Sequence, residues 1–192
     1  MSIPKKVLNY LANKDVSYEV VEHRTVYTAY DLAMTLKMKE NQIAKNLLIK
    51  ADKDFVIVVL SANKNIDLKK FAKVAGAAKA DMPKEGIMKT KFKVHPGALP
   101  AFGGVNKLSV YVDKALSKES RVLFSVGSFT ESIRMTVKNF IKLEQAEIGV
   151  FSVAKKIKKS KVNKPVKKKL PAQNKPKKRA TTKKVVKKRI KK

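Results

Sequence analysis

The chain has 192 residues, 44% of them hydrophobic, with no cysteine, two histidines and a formal net charge of +30. That is length for one ordinary domain plus an appendage, and enough apolar residue for a real core. It excludes disulfides, cysteine nucleophiles and zinc–thiolate sites, leaves too few histidines for a multi-histidine metal site, and holds no apolar run near the roughly 20 residues of a membrane span.

Taken in order, Val7, Leu8, Leu11 and Ala12 recur at helical spacing and predict a short amphipathic helix over 4–14. Residues 16–22 read as a strand, and 23–27 as a connection. Thr28 with Asp31 three residues on resembles a capping box, opening a helix that turns Leu32, Ala33 and Leu36 inward. Residues 42–50 and 55–60 read as two strands joined by the polar turn 51–54 in a hairpin. The second strand is continuously apolar and suits a central position buried on both faces. Asp67 caps a helix carrying Leu68, Phe71, Ala72 and Ala75, which Gly76 stops. A short strand over 77–82 and a single helical turn over 83–88 follow. Residues 95–104 hold three glycines and two prolines and mark a shaped loop. Strands are expected at 108–113, at 122–126 before Gly127-Ser128, and around Ile133 and Met135. Thr136 caps a last helix, and 148–153 closes the domain, with Asp113 read as a turn cap.

Lys45 stands out in this pattern. Strand alternation puts it on one face with Leu47 and Ile49, while Ala44, Asn46 and Leu48 share the other. A cation beside two large apolar residues either reaches water past the strand end or lines a polar pocket that uses its charge. The loop 95–104 and the Gly127-Ser128 turn could meet it at one end of a mixed sheet, where glycines allow close backbone approach and exposed amides hold a carbonyl or phosphate oxygen. No GxSxG elbow, P-loop or HExxH sequence is present, so a pocket that positions a substrate suits these residues better than a catalytic triad.

Charge is distributed unevenly. Residues 155–192 hold 20 of the 45 Lys and Arg and none of the 15 Asp and Glu. We read 1–154 as the folded domain and 155–192 as a lysine-rich tail, disordered when free. Its basic clusters are Lys167-Lys168-Lys169, Lys177-Lys178-Arg179, Lys183-Lys184 and Lys187-Lys188-Arg189. A polyanion is the natural partner, above all nucleic acid.

Several segments taken together resemble the YbaK/ProX family of aminoacyl-tRNA deacylases, which includes the editing domain inserted in bacterial prolyl-tRNA synthetases. They run in family order from about residue 5 to 153: His23 with Thr28-Ala29 and Leu32-Ala33; Ile43-Ala44-Lys45-Asn46-Leu47; Asn65-Ile66-Asp67-Leu68; Gly97-Ala98-Leu99-Pro100-Ala101-Phe102-Gly103; Val110-Tyr111-Val112-Asp113; and Phe124-Ser125-Val126-Gly127-Ser128. The resemblance implies a single α/β domain with a mixed, curved central β-sheet flanked by helices. It also implies hydrolysis of amino acids wrongly attached to tRNA; no cofactor or metal is expected. The family lysine, needed for activity and placed to hold the tRNA 3′ end, falls on Lys45. The family GxxxP loop falls on Gly97, Ala98, Leu99, Pro100 and Ala101, with Ala101 in place of the final proline. The glycine turn falls on Gly127 and Ser128.

His23, Ser128 and Thr28 are further substrate-contact candidates, as are Tyr18, Tyr30 and, beside the loop, His95. Where the cysteinyl-tRNA-clearing branch carries an Asp, this chain aligns Ser132, so Ala, Ser or Thr is expected over Cys. The expected partners are the aminoacylated 3′ end of tRNA and an aminoacyl-tRNA synthetase, with no membrane association, a cytoplasmic location and a monomer. The competing reading is a non-enzymatic, histone-like nucleic-acid binder that uses the tail.

Overall fold

A computed structural model describes residues 2–14, 16–95 and 97–155. The tail clusters from Lys167 to Arg189, and the expectation of tail disorder, lie outside them.

The described residues form five helices and ten strands: α1 (Lys5–Ala12), β1 (Glu19–Glu22), α2 (Ala29–Leu36), β2 (Ala44–Ala51), β3 (Asp54–Ser61), β4 (Lys64–Ile66), α3 (Leu68–Val74), β5 (Ala80–Asp81), α4 (Glu85–Phe92), β6 (Val110–Asp113), β7 (Arg121–Ser125), β8 (Glu131–Thr136), α5 (Val137–Glu144), β9 (Glu147–Gly149) and β10 (Ser152–Ala154). The main sheet is five-stranded and mixed, in the order β5-β2-β3-β6-β9. Its β2–β3 pair is the expected hairpin, antiparallel from Ala44↔Ser61 to Ala51↔Asp54, while β3–β6 and β6–β9 are parallel. A three-stranded sheet, β1-β8-β7, and a two-stranded ribbon, β10-β4, complete the fold.

The apolar run in β3 works as a central strand should. Ile57 and Val59 enter the larger core with Val7 and Leu11 of α1, Phe140 of α5 and Phe124 of β7. Val58 and Leu60 enter a second core with Phe71 of α3, Tyr111 and Phe151. Every residue from Val56 to Ser61 is buried. Alternation therefore distributes one strand between two cores, which is why no polar residue interrupts it.

The three expected helix caps form. Thr28, Asp67 and Thr136 each accept from backbone amides of the first turn, at 3.0–3.1 Å. Gly76 takes φ +63 just past α3. One expected element needs correction. The single turn at 83–88 is an eight-residue helix, α4, with no buried residue, so nothing in its hydrophobic pattern marks its length. Residues 64–66 form a strand that their composition does not announce. In the shaped loop expected at 95–104, Ala98, Leu99, Pro100, Ala101, Phe102 and Gly103 are all buried. Phe102 packs edge-on against Phe140 in the larger core, with centroids 5.7 Å apart.

Asp113 is more than a turn cap. Its side chain is 1% exposed and accepts from Ala115 N (3.0 Å), Phe151 N (3.2 Å), Ser152 N (2.9 Å) and Ser152 Oγ (2.8 Å). A buried carboxylate is tolerable when this many donors face it. Three of the four come from Phe151 and Ser152, at the start of β10, so one side chain of β6 joins the main sheet to the ribbon.

Candidate active site

The pocket exists because β2 has a free edge. Along 44–51 β2 pairs with β3 on one side, while β5 covers the other side only at Lys50 and Ala51. A cavity of about 330 Å³ lies against the uncovered stretch Ala44–Leu48. Val26, Leu32, Leu48 and Met88 supply apolar wall; Thr28, Asn46, Ser125, Ser128 and Ser132 bring polar side chains to it. The small volume and the mix of apolar wall with a few convergent polar groups are those of a small-ligand site.

Lys45 lines this cavity and is half-buried. Its Nζ donates to the backbone carbonyl of Lys64 and, at 3.4 Å, to Asn65 Oδ1, both on β4. Among the described residues it has no ion-pair partner. Burial lowers its pKa from the ordinary lysine value; the nearby Lys155 lowers it further, against a smaller opposing effect of Glu40. The ammonium is thus held in place by neutral acceptors with its charge uncompensated, an arrangement that favours an anionic ligand.

Two glycine turns close on the cavity. Gly97 has φ +85, and a Cβ there would lie 2.8 Å from the carbonyl oxygen of Tyr27, which itself lines the cavity. Gly127 has φ +87 and faces the carbonyl of Ala98 at 3.4 Å from its would-be Cβ. Both positions combine a left-handed backbone with a close neighbour, which only glycine accommodates without strain. Gly97→Ala should therefore push the Tyr27 backbone, destabilise the domain by ~1–3 kcal/mol and lower kcat/KM about tenfold. Chemical denaturation alongside steady-state kinetics measures both effects.

The site residues expected from sequence divide into two groups. Lys45, His23, Thr28, Gly97, Leu99 and Ser128 line the cavity. Ala98, Pro100, Ala101 and Gly127 do not; the first three are buried and Gly127 half-buried, as support behind it. The Ala98 amide closes a turn onto the His95 carbonyl at 3.0 Å, so it is not open to substrate. Ala101 is fully buried and donates its N–H to Ser125 O at 2.9 Å. A proline there has no N–H to give. Ala101→Pro should thus cost ~1–3 kcal/mol of stability, visible as a lower urea midpoint at unchanged slope.

Thr28 spends its hydroxyl locally, accepting from Asp31 N and donating to Asp31 Oδ2 at 2.7 Å. Tyr18 packs against the larger core, and His95 and Tyr30 are exposed; none of the three lines the cavity.

Ser132, aligned with the specificity position, lines the cavity, whereas Asn46, Tyr27, Ser125 and Glu85 are among the lining residues that sequence reasoning did not single out for contact with a ligand. Asn46 Nδ2 donates to Leu99 O at 3.1 Å, tying β2 to the buried loop. His23 Nδ1 is 2.9 Å from the Arg24 carbonyl, an acceptor, so that nitrogen carries the proton; Nε2 sits 3.0 Å from Ser132 Oγ. Asn46 and Ser125 stood in the segments quoted from the sequence, and strand alternation placed Asn46 on the face opposite Lys45.

A family model for the aminoacyl-tRNA editing domain matches residues 23–143, from the cavity histidine to the last turn of α5. The chain belongs to that family. Its segments from His23 through Gly127-Ser128, read above as a resemblance, thus form an aminoacyl-tRNA editing domain. Among relatives, the editing domain is similar to "Prolyl-tRNA editing protein ProX" of Acetoanaerobium sticklandii, with 24% identity over 157 residues covering 79% of this chain and 96% of that protein. It is 27% identical over 119 residues to a proline–tRNA ligase of Macrococcus caseolyticus, matching 60% of this chain but 21% of the ligase. A crystal structure of a candidate trans-editing enzyme for prolyl tRNA synthetase shares the fold: TM-score 0.70 at 21% identity, over 78% of this chain and 96% of that one. Among the described residues no helix is long and apolar enough to cross a membrane.

Proposed function

We propose that this editing domain acts in trans, hydrolysing the ester that links an amino acid to the 3′-terminal ribose of a mischarged tRNA, and that small or hydroxylated residues (Ala, Ser, Thr) are favoured over Cys. The observation that carries the reading is Lys45: an ammonium held by two neutral β4 acceptors, with no carboxylate partner among the described residues, at the edge of a small cavity. Lys45 would hold a phosphate or ribose oxygen of the 3′ end. The aminoacyl group would enter the cavity, with its ester carbonyl near the backbone of Leu99 and of Gly127–Ser128. Water adds to that carbonyl, the tetrahedral intermediate collapses, and the ribose oxygen leaves with a proton. For an already activated ester, positioning and electrostatics supply much of the barrier reduction. The hydroxyls of Ser125, Ser128 and Ser132 and the imidazole of His23 suit a small polar side chain better than a bulky one.

The relatives' names make prolyl-tRNA the first tRNA to test. Full-length protein is incubated with Ala-, Ser-, Thr- and Cys-acylated tRNA, and amino acid release is followed. Faster release than in buffer for Ala, Ser or Thr supports the proposal; release at the buffer rate for all four overturns it.

The tail, in this reading, captures tRNA through phosphate neutralisation and raises its effective concentration at the domain. Deleting 155–192 should raise KM about tenfold or more at low salt and flatten its salt dependence, with kcat within about twofold. A large fall in kcat would contradict the tether.

A further inference from the structure

The chain leaves its described part beside the cavity, not on the far side of the fold. β10 pairs antiparallel with β4 in the register Val153↔Asn65 and Ala154↔Lys64. Lys64 and Asn65 are the residues that hold the Lys45 ammonium. The next residue after the strand, Lys155, sets its Nζ over the Tyr30 ring, 5.1 Å from the centroid. Tyr30 stands in the first turn of α2, immediately after the cavity residues Thr28 and Ala29, and is 47% exposed.

We propose that Lys155 and Lys45 form a two-ammonium cradle for a phosphodiester at the 3′ end of the nucleic acid, with Lys155 parked on Tyr30 until the phosphate arrives. The inference rests on the proposed aminoacyl-tRNA reading of the same site. Three observations support it. Lys155 directly follows β10, whose register with β4 places it beside the residues that hold Lys45. Neither lysine has an ion-pair partner among the described residues. Of the carboxylates on the adjoining elements, Asp31 shares a hydrogen bond with Thr28, Glu40 offsets Lys45 less than burial and Lys155 together perturb it, and Glu85 lines the cavity without an ion pair to either lysine among the described residues.

Like charges brought together without a counter-ion repel, and an anion between them relieves the repulsion. The cation–π contact is weak enough to give way, since an exposed one is worth about 0.5–1 kcal/mol and a charge-assisted hydrogen bond to phosphate more. The freed Tyr30 ring then offers a face on which a terminal base can stack.

The test uses full-length protein and the trinucleotide CCA, too short to span the tail clusters, with binding read by anisotropy of a labelled oligonucleotide. Lys155→Gln should weaken CCA binding about five- to tenfold, with Lys155→Arg close to wild type and a control on the exposed face of α5, Lys138→Gln, unchanged. Tyr30→Ala should weaken it as well, by about three- to tenfold. With whichever mischarged tRNA of the panel is hydrolysed, Lys155→Gln should raise KM and leave kcat within about twofold. CCA binding that is indifferent to Lys155, or equally sensitive to Lys138, overturns the cradle. If no mischarged tRNA is hydrolysed yet CCA binding still depends on Lys155, the cradle stands and the deacylase reading falls. If hydrolysis occurs and Lys155→Gln matches wild type in both assays, only the cradle falls.

Discussion

Replacing Lys45 with Ala is expected to lower kcat/KM for the preferred mischarged tRNA by on the order of a hundredfold, about 2.7 kcal/mol of transition-state stabilisation. The loss should not come from unfolding. Removing the side chain deletes an uncompensated charge from a half-buried position and leaves the Lys64 carbonyl and Asn65 to nearby water. Thermal stability should therefore stay near wild type while activity collapses; single-turnover deacylation and a melting curve on the same preparation check both.

The pH profile gives an independent readout. Burial, and then Lys155, depress the Lys45 pKa. The protonated form is the one that binds a phosphate, so catalysed turnover, after subtraction of the buffer rate, falls as pH rises through that depressed value. This alkaline limb should lie below the ordinary lysine range. Lys45→Arg should remove it, because a guanidinium stays charged throughout, and Lys155→Gln should move it to higher pH. Activity that stays constant across that limb in wild type would argue against an ammonium role.

The second large effect is on stability. Asp113→Ala removes a buried carboxylate from four donors and strands the Phe151 and Ser152 amides in the interior. We expect a loss of ~3–5 kcal/mol, a fall of roughly 10 °C or more in Tm for a domain of this size. Asp113→Asn keeps an acceptor and should recover about half. Activity should fall with it at temperatures where the domain is still folded, through KM, because β4, which holds the Lys45 ammonium, is paired to the strand that Asp113 pins. Urea denaturation of the three proteins, with kinetics at low temperature, separates the two consequences.

Most of the fold could be read from local pattern. The uninterrupted apolar run from Val56 to Leu60 announced the central strand, and Thr28, Asp67 and Thr136 announced helix starts, because both signals depend on residues close in sequence. The β4–β10 ribbon could not be read this way. Lys64-Asn65-Ile66 has no alternation of its own and becomes a strand only when Ser152–Ala154 arrives beside it. Nor could the extent of α4, whose residues bury nothing.

The site divides along the same line. Lys45, Gly97 and Ser128 stood in ordered motifs and line the cavity, whereas Ala98, Pro100, Ala101 and Gly127 stood in the same motifs and serve as scaffold behind it. A motif records which residues travel together; the side of the backbone that each presents to a ligand is decided by tertiary packing. Ser125 and Ser132 reach the cavity because β7 and β8 pair them directly.

The pairings that complete the two sheets also bear on how the protein is made. β9 and β10 follow each other within residues 147–154, yet one finishes the main sheet beside β6 and the other finishes the ribbon beside β4. Pairings between residues so far apart in the chain form slowly, since loop closure comes before any reward. During synthesis the lysine at 45 is therefore exposed well before the strand that settles its acceptors has been added. A ribosome-bound chain that ends before residue 152 holds an unpinned β4 edge, and the binding site matures only in the last stretch of domain synthesis, just as the polybasic segment begins to emerge.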